Sequence, residues 1–162
     1  MSGTTTSDES TLDISTATIR ITTTRVRDST STNFYPNPKE VWQHLVSTYN
    51  MSGQRQNLVT MSDDGLTLTT VTYWVNRQSW LYANFNDPIP IKNGVDHEVY
   101  CQANNIVLTR IKEKKINDEW SIIDPVRPID SEWREKRFAE LTSSTTATIW
   151  TDIELLRWGG IQ

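Results

Sequence analysis

An α+β fold is predicted by three observations on this 162-residue chain. Arg55 to Pro88 reads as strand, tight turn, strand and capped helix. A long amphipathic stretch with helix-start residues precedes it. A Thr- and Ile-rich strand lies before that stretch, and another strand follows the unit.

Asp63-Asp64-Gly65 separates two β-rich runs. Gly accepts the positive φ that such hairpin turns need, so the spacing predicts a hairpin. From Leu66 to Val75 neither alternating face carries a charge, and each carries an aromatic residue. That pattern predicts a central strand with both faces covered. Asn76 is a good N-cap for a helix over 77–85, and Pro88 and Pro90 are expected to stop it.

The elements around this unit follow in order. Residues 1–16 are mostly Ser, Thr, Asp and Glu, with Leu12 and Ile14 as their apolar anchors. Such a segment buries too little surface to order alone, so it is read as a polar flexible arm that orders by docking on a neighbour. Residues 17–26 form the first strand, with Ile19 and Ile21 on one face and Arg20, Thr22 and Thr24 on the other. Asn37, Pro38 and Glu40 make a helix start, Val41, Leu45 and Tyr49 its stripe, and Gly53 its end. Residues 89–94 are expected to be a connector with a turn at Asn93-Gly94. Residues 95–103 read as a short helix with a Val95–Val99 stripe, capped by Asn104 or Asn105 in a left-handed conformation; a hairpin is the alternative. A strand is placed over 106–113. The polar run from Lys112 to Asp118 suggests a boundary near residue 116, then a short strand around Trp120, Ile122 and Ile123 and a helix over 131–141. Residues 149–158 are open between strand and helix.

The resulting order, β-α-β-β-α-β, is the ferredoxin-like one, with helices on one sheet face. The chain thus divides into a polar flexible arm (1–16), a ferredoxin-like domain (17–115) and a C-terminal extension (116–162) used in assembly.

Composition excludes several function classes. Net charge is −4 and pI is near 5.2, which disfavours nucleic acid as a partner. No apolar run is long enough for a membrane span, and no signal-peptide core is visible. Cys101 is the single cysteine, so an intrachain disulfide cannot form. The six glycines make no phosphate-binding loop. The seven tryptophans are spread along the chain, which suggests packing and contact surface rather than one aromatic site.

Residues 17–113 resemble the dimeric α+β barrel module of antibiotic-biosynthesis-monooxygenase-like proteins. The resemblance rests on the Asp63-Asp64-Gly65 hairpin, Tyr73-Trp74, the short helix with Trp80 and Phe85, Asp87-Pro88, and Tyr100 to Ile106 leading into the last strand. The style of Leu66-Thr67-Leu68-Thr69 after Ser62-Asp63-Asp64-Gly65 is also similar to small proteins of tailed phages that infect cyanobacteria. The first resemblance implies a sheet-mediated dimer, and the second a virion protein. Haem-degrading members of the barrel family use an Asn, a Trp and a His. Trp74 matches that Trp, but the strand over 17–26 holds no Asn, and His44 and His97 are displaced. No cofactor and no metal are therefore expected.

The candidate residues are each weighed against a plain role. Arg20, Thr22, Thr72, Trp74 and Trp80 could line an uncovered sheet face, as a pocket or, more in keeping with Arg and Trp enrichment, as an interface. Leu12, Ile14, Trp133, Phe138, Trp150 and Trp158 are candidate assembly contacts. His97 lies at i−4 from Cys101 and could act as its base on a helix, but a buried thiol is the plainer reading. Asp96, His97 and Glu98 are adjacent and do not converge on one point, so a solvated turn is favoured over a metal site. His44 reads as a surface residue. Arg110, Lys112, Lys114 and Lys115 could touch phosphate or an acidic partner, but a solvated strand end is the plainer reading. The expected function is a structural protein that self-associates through its sheet and docks its termini on other structural proteins. Its expected location is a virion made in the host cytoplasm, or otherwise the cytoplasm. The alternative is a small cofactor-free oxygenase or ligand-binding protein, which requires an enclosed cavity behind Trp74 and Arg20. A nucleic-acid-binding ferredoxin-like domain is a weaker third reading.

Overall fold

The computed structural model describes residues 4–7, 12–30, 45, 47–48, 51–123 and 131–143. Its elements are β1 (Thr4–Ser7), a 3-10 turn (Ile14–Thr16), β2 (Ile19–Val26), β3 (Arg55–Met61), β4 (Thr67–Trp74), α1 (Arg77–Leu81), a π-type turn (Tyr82–Asn86), α2 (Pro88–Ala103), β5 (Val107–Ile116), β6 (Glu119–Ile122) and α3 (Ser131–Thr142). The six strands form one sheet in the order β1-β3-β4-β2-β5-β6, with every pairing antiparallel. The fold is α+β, as the alternation predicts. The sheet order differs from that of a four-strand β-α-β-β-α-β sheet, because β1 and β6 extend it at the two edges.

Strand alternation assigns the two faces. Ile19, Ile21, Thr23 and Arg25 lie opposite Trp74, Thr72, Thr70 and Leu68 of β4. On the other flank they face Lys114, Lys112, Arg110 and Leu108 of β5. Directly opposed residues of antiparallel strands point to the same side. This inner face is covered by the helices. Arg20, Thr22, Thr24 and Val26, with Tyr73, Val71, Thr69 and Thr67, form the outer face. Every one of these outer residues is at least partly exposed. The central position expected for β4 therefore holds, but only one of its faces is buried. Its Thr-rich outer side tolerates water.

The hairpin forms as its chemistry predicts. Gly65 has φ +73°, and Asp64 accepts hydrogen bonds from Ser62 Oγ at 2.7 Å and Leu66 N at 3.0 Å. These bonds hold the Asp64 carboxyl below its usual range. Asn76 caps α1 through Ser79 N at 2.8 Å.

Pro88 and Pro90 do not end a helix; they begin one. Asp87 is the N-cap of α2 and accepts from Ile89 N at 3.0 Å. Both prolines then sit in the first turn, where backbone N–H groups lack intrahelical partners, so their missing donors cost nothing. The expected connector over 89–94 is helical for this reason. Its inward stripe runs Ile91, Val95, Glu98 and Cys101, while Val99 is 46% exposed. Asn105, at φ +58°, follows the helix in the left-handed conformation expected there. The polar junction near residue 116 is a turn at Asn117-Asp118, both with positive φ, and the sheet continues through it into β6.

The arm also joins its own chain. β1 pairs with β3, from Thr4 opposite Met61 to Ser7 opposite Leu58. Leu12 is buried. The core gathers Ile19, Ile21, Leu45, Met51, Trp74, Trp80, Leu81, Ala83, Phe85, Ile123 and Trp133. Phe85 stands edge-on to Trp80 at 5.2 Å and to Trp133 at 5.0 Å, tying the π-type turn to α3. Arg137, 1% exposed, donates from Nε to Phe85 O at 2.6 Å and from Nη2 to Asn86 Oδ1 at 3.0 Å.

Candidate functional site

The inner face of the sheet is unusually cationic. β2 contributes Arg25, β3 contributes Arg55, β5 contributes Arg110 and Lys112, and α3 contributes Arg134 across the gap. Residues two apart on a strand share a face, so Arg110 and Lys112 turn inward together. These five cations line two adjoining cavities of about 160 and 130 Å³ between sheet and helices. Arg55, Trp74, Asn84, Arg110 and Arg134 border both. Arg25 and His97 border the larger one, and Thr23, Thr72 and Lys112 the smaller.

One carboxylate among the described residues organises part of this charge. Glu98 Oε1 accepts from Arg110 Nη2 at 3.0 Å and from Arg134 Nε at 3.1 Å, while Oε2 accepts from Ser131 Oγ at 3.0 Å. Glu98 thereby links α2, β5 and α3. Gly94 makes room for this link, because a Cβ there would meet Arg134 Nη1 at 2.5 Å. Arg55 stacks on Trp74, with its guanidinium carbon 5.3 Å from the ring centre.

Arg25 and Lys112 are held differently. Arg25 donates from Nε to His97 Nε2 at 2.5 Å and from Nη1 to Thr70 Oγ1 at 2.8 Å. Neither partner is a carboxylate. Burial, and then the Arg110 charge, pulls its pKa down to about 10. Lys112 is 8% exposed and its ammonium makes no hydrogen bond or ion pair among the described residues. Burial pushes its pKa down to about 8, helped by the charges of Arg110 and Arg134. The solvated strand end expected at Arg110 and Lys112 is thus an inward-facing cationic wall. Asn57, fully buried, accepts from Thr72 Oγ1 at 2.9 Å, and its Nδ2 has no partner among the described residues.

The sequence-predicted candidates fall on both sides of the sheet. Thr72, Trp74 and Trp80 belong to the inner side, while Arg20 and Thr22 lie on the outer one. The expected shared face is therefore corrected: Arg20 pairs in register with Tyr73, and Thr72 with Ile21. Arg20 makes two 2.8 Å bonds to Glu113, which raise its pKa, and lies 4.6 Å from the Trp120 ring centre. The cavity lies behind Trp74 but not behind Arg20.

Cys101 and His97 do meet, with Sγ 3.6 Å from Nε2. Burial raises the Cys101 pKa, so its thiol is not activated as a nucleophile. Asp96 points outward to Lys92 at 2.9 Å, and no cluster of metal-ligating residues forms among the described residues. Trp133 and Leu12 are buried within the chain and serve its own packing, while Ile14 and Phe138 are half-buried. His44, Trp150, Trp158 and the segment 149–158 lie outside the described residues.

Among the described residues no helix is long and apolar enough to cross a membrane. No protein-family model, curated protein or solved structure matches the chain.

Proposed function

We propose that this chain is a self-associating assembly protein whose copies pair through the outer sheet face. The observation that carries the reading is the exposure of that face. Val26 is 43%, Val107 62%, Ile111 48% and Ile122 69% exposed, and all four fall on the outer side by register. Exposed apolar residues gathered on one face mark a contact surface.

A second copy fits this face best. Its Arg20 and Glu113 already neutralise each other, which leaves Lys115 beside Trp120 as the one further charge among the described strand residues of this face, so a copy meets little like charge and a nucleic acid finds no basic track. Strand spacing and rise give the face an area of roughly 650 Å². Two such faces bury about 1,300 Å², within the range of stable interfaces. The inner strands β3-β4-β2-β5, with the helices on one side, are read as a ferredoxin-like core to which β1 and β6 are edge additions. In its concrete form the protein is a tail, neck or capsid-associated component of a virion. That form rests on the likeness of its hairpin to phage proteins.

Light scattering at two concentrations tests the self-association. The intact chain is expected to be a homo-oligomer that Ile111→Lys disperses. A chain that stays monomeric at the higher concentration would rule the reading out. Peptide detection in purified particles tests the virion assignment.

A second reading is favoured by the cavity behind Trp74: the chain binds a small molecule there. This is the ligand-binding alternative, without a catalytic constellation among the described residues.

A further inference from the structure

We propose that the adjoining cavities between the sheet and the helices bind a small multivalent oxyanion, a phosphate or a compact carboxylate, with Lys112 at the wall of one and Arg25 at the wall of the other. The inference deepens the ligand-binding reading and is independent of self-association, which uses the opposite sheet face.

Two cations carry the argument, the buried Lys112 and the half-buried Arg25. A buried ammonium without a counter-charge costs several kcal/mol, so it persists where something offsets it. Lys112 lines the smaller cavity and makes no hydrogen bond or ion pair among the described residues. Arg25 lines the larger one; its Nε and Nη1 are occupied, and its Nη2 makes no hydrogen bond among the described residues. Glu98 engages Arg110 and Arg134, not these two.

The surroundings suit oxygen-rich anions. Arg110 and Arg134, turned towards Glu98, hold positive charge at the wall of both cavities. The hydroxyls of Thr23 and Thr72 border the smaller one beside Lys112. The Lys112 ammonium and the remaining Arg25 N–H groups are charge-assisted donors of the kind that phosphate and carboxylate oxygens accept from. Space restricts the guest further. Volumes of about 160 and 130 Å³ hold several water molecules or a compact anion, less than a drug-sized ligand needs.

Titration calorimetry of the full-length chain with inorganic phosphate, citrate and chloride at one ionic strength tests the proposal. Saturable binding of phosphate, citrate or both is expected, and which of them binds distinguishes a phosphate ligand from a carboxylate one. Lys112→Met should lower that affinity at least tenfold, while Lys112→Arg retains most of it. Ile111→Lys, on the other face, should leave it unchanged whether or not the copies separate. No saturable heat from either anion beyond chloride would overturn the proposal, as would a folded Lys112→Met that binds as well as the original chain. Should Lys112→Met fail to fold, Arg25→Gln takes its place with the same two outcomes.

Discussion

Lys112 concentrates what a single residue contributes here. Its pKa falls from 10.5 to about 8 on folding because burial disfavours the charged form. The group is depressed, so its penalty is fully present below pH 8 and is relieved as pH rises towards 10.5. The shift corresponds to roughly 3 kcal/mol. Cys101 acts in the opposite direction, because burial raises its thiol and stability is lost above pH 9 as the unfolded thiol ionises. Urea titrations at pH 7.5 and 9.5 in a Cys101→Ala background should therefore show stability rising with pH, and the rise should vanish when Lys112→Met is added. This residue was partly legible in the sequence. Arg110 and Lys112 are two apart on a strand, which puts them on one face. What the chain does not reveal is that the helices settle on that face. A basic run at a strand end reads as solvated until a covering layer is known. Arg25 and Arg55 escaped for the same reason, each being a lone charge at one end of its strand.

At the scale of elements, the hairpin, the strands and the N-cap at Asn76 follow from alternation and turn chemistry, and they appear where expected. The helix α2 shows the limit of local rules. Proline signals a stop when it is read from the preceding helix, and a start when it is read from Asp87. Asp87 decides between the two, because its carboxylate satisfies the N–H of Ile89 in the first turn. Asp87→Ala should cost about 1 kcal/mol or more, the usual loss of a capping residue, as measured by the shift of the urea midpoint. The loss should extend to α3, since α2 holds Glu98 against Arg134. The inward stripe of α2 was likewise hard to read. It mixes Ile91 and Val95 with Glu98 and Cys101, so hydrophobic spacing alone pointed to Val99 instead.

At the scale of the whole molecule the sheet separates two environments. One side is a charged interior under helices, and the other is an apolar and Thr-rich surface. Composition hides this division, since a net charge of −4 gives no sign of five cations gathered inside. The sheet is also tied unequally from margin to centre. β1 spans four residues and is joined to the rest of the sheet through β3 alone. The centre, in contrast, is tied by eight-residue registers on both sides of β2. Short edge strands open at low free energy while the centre stays closed. In deuterated water, the β3 amides that face β1 should thus exchange well before those of β2. Equal rates on the two strands would show that β1 opens only with the entire sheet. When β1 lifts away, the row of donors and acceptors it leaves on β3 is a template on which the same segment of another copy can settle. Four threonine- and serine-bearing positions at one margin thus give the chain a means of exchanging strands between copies without disturbing its core.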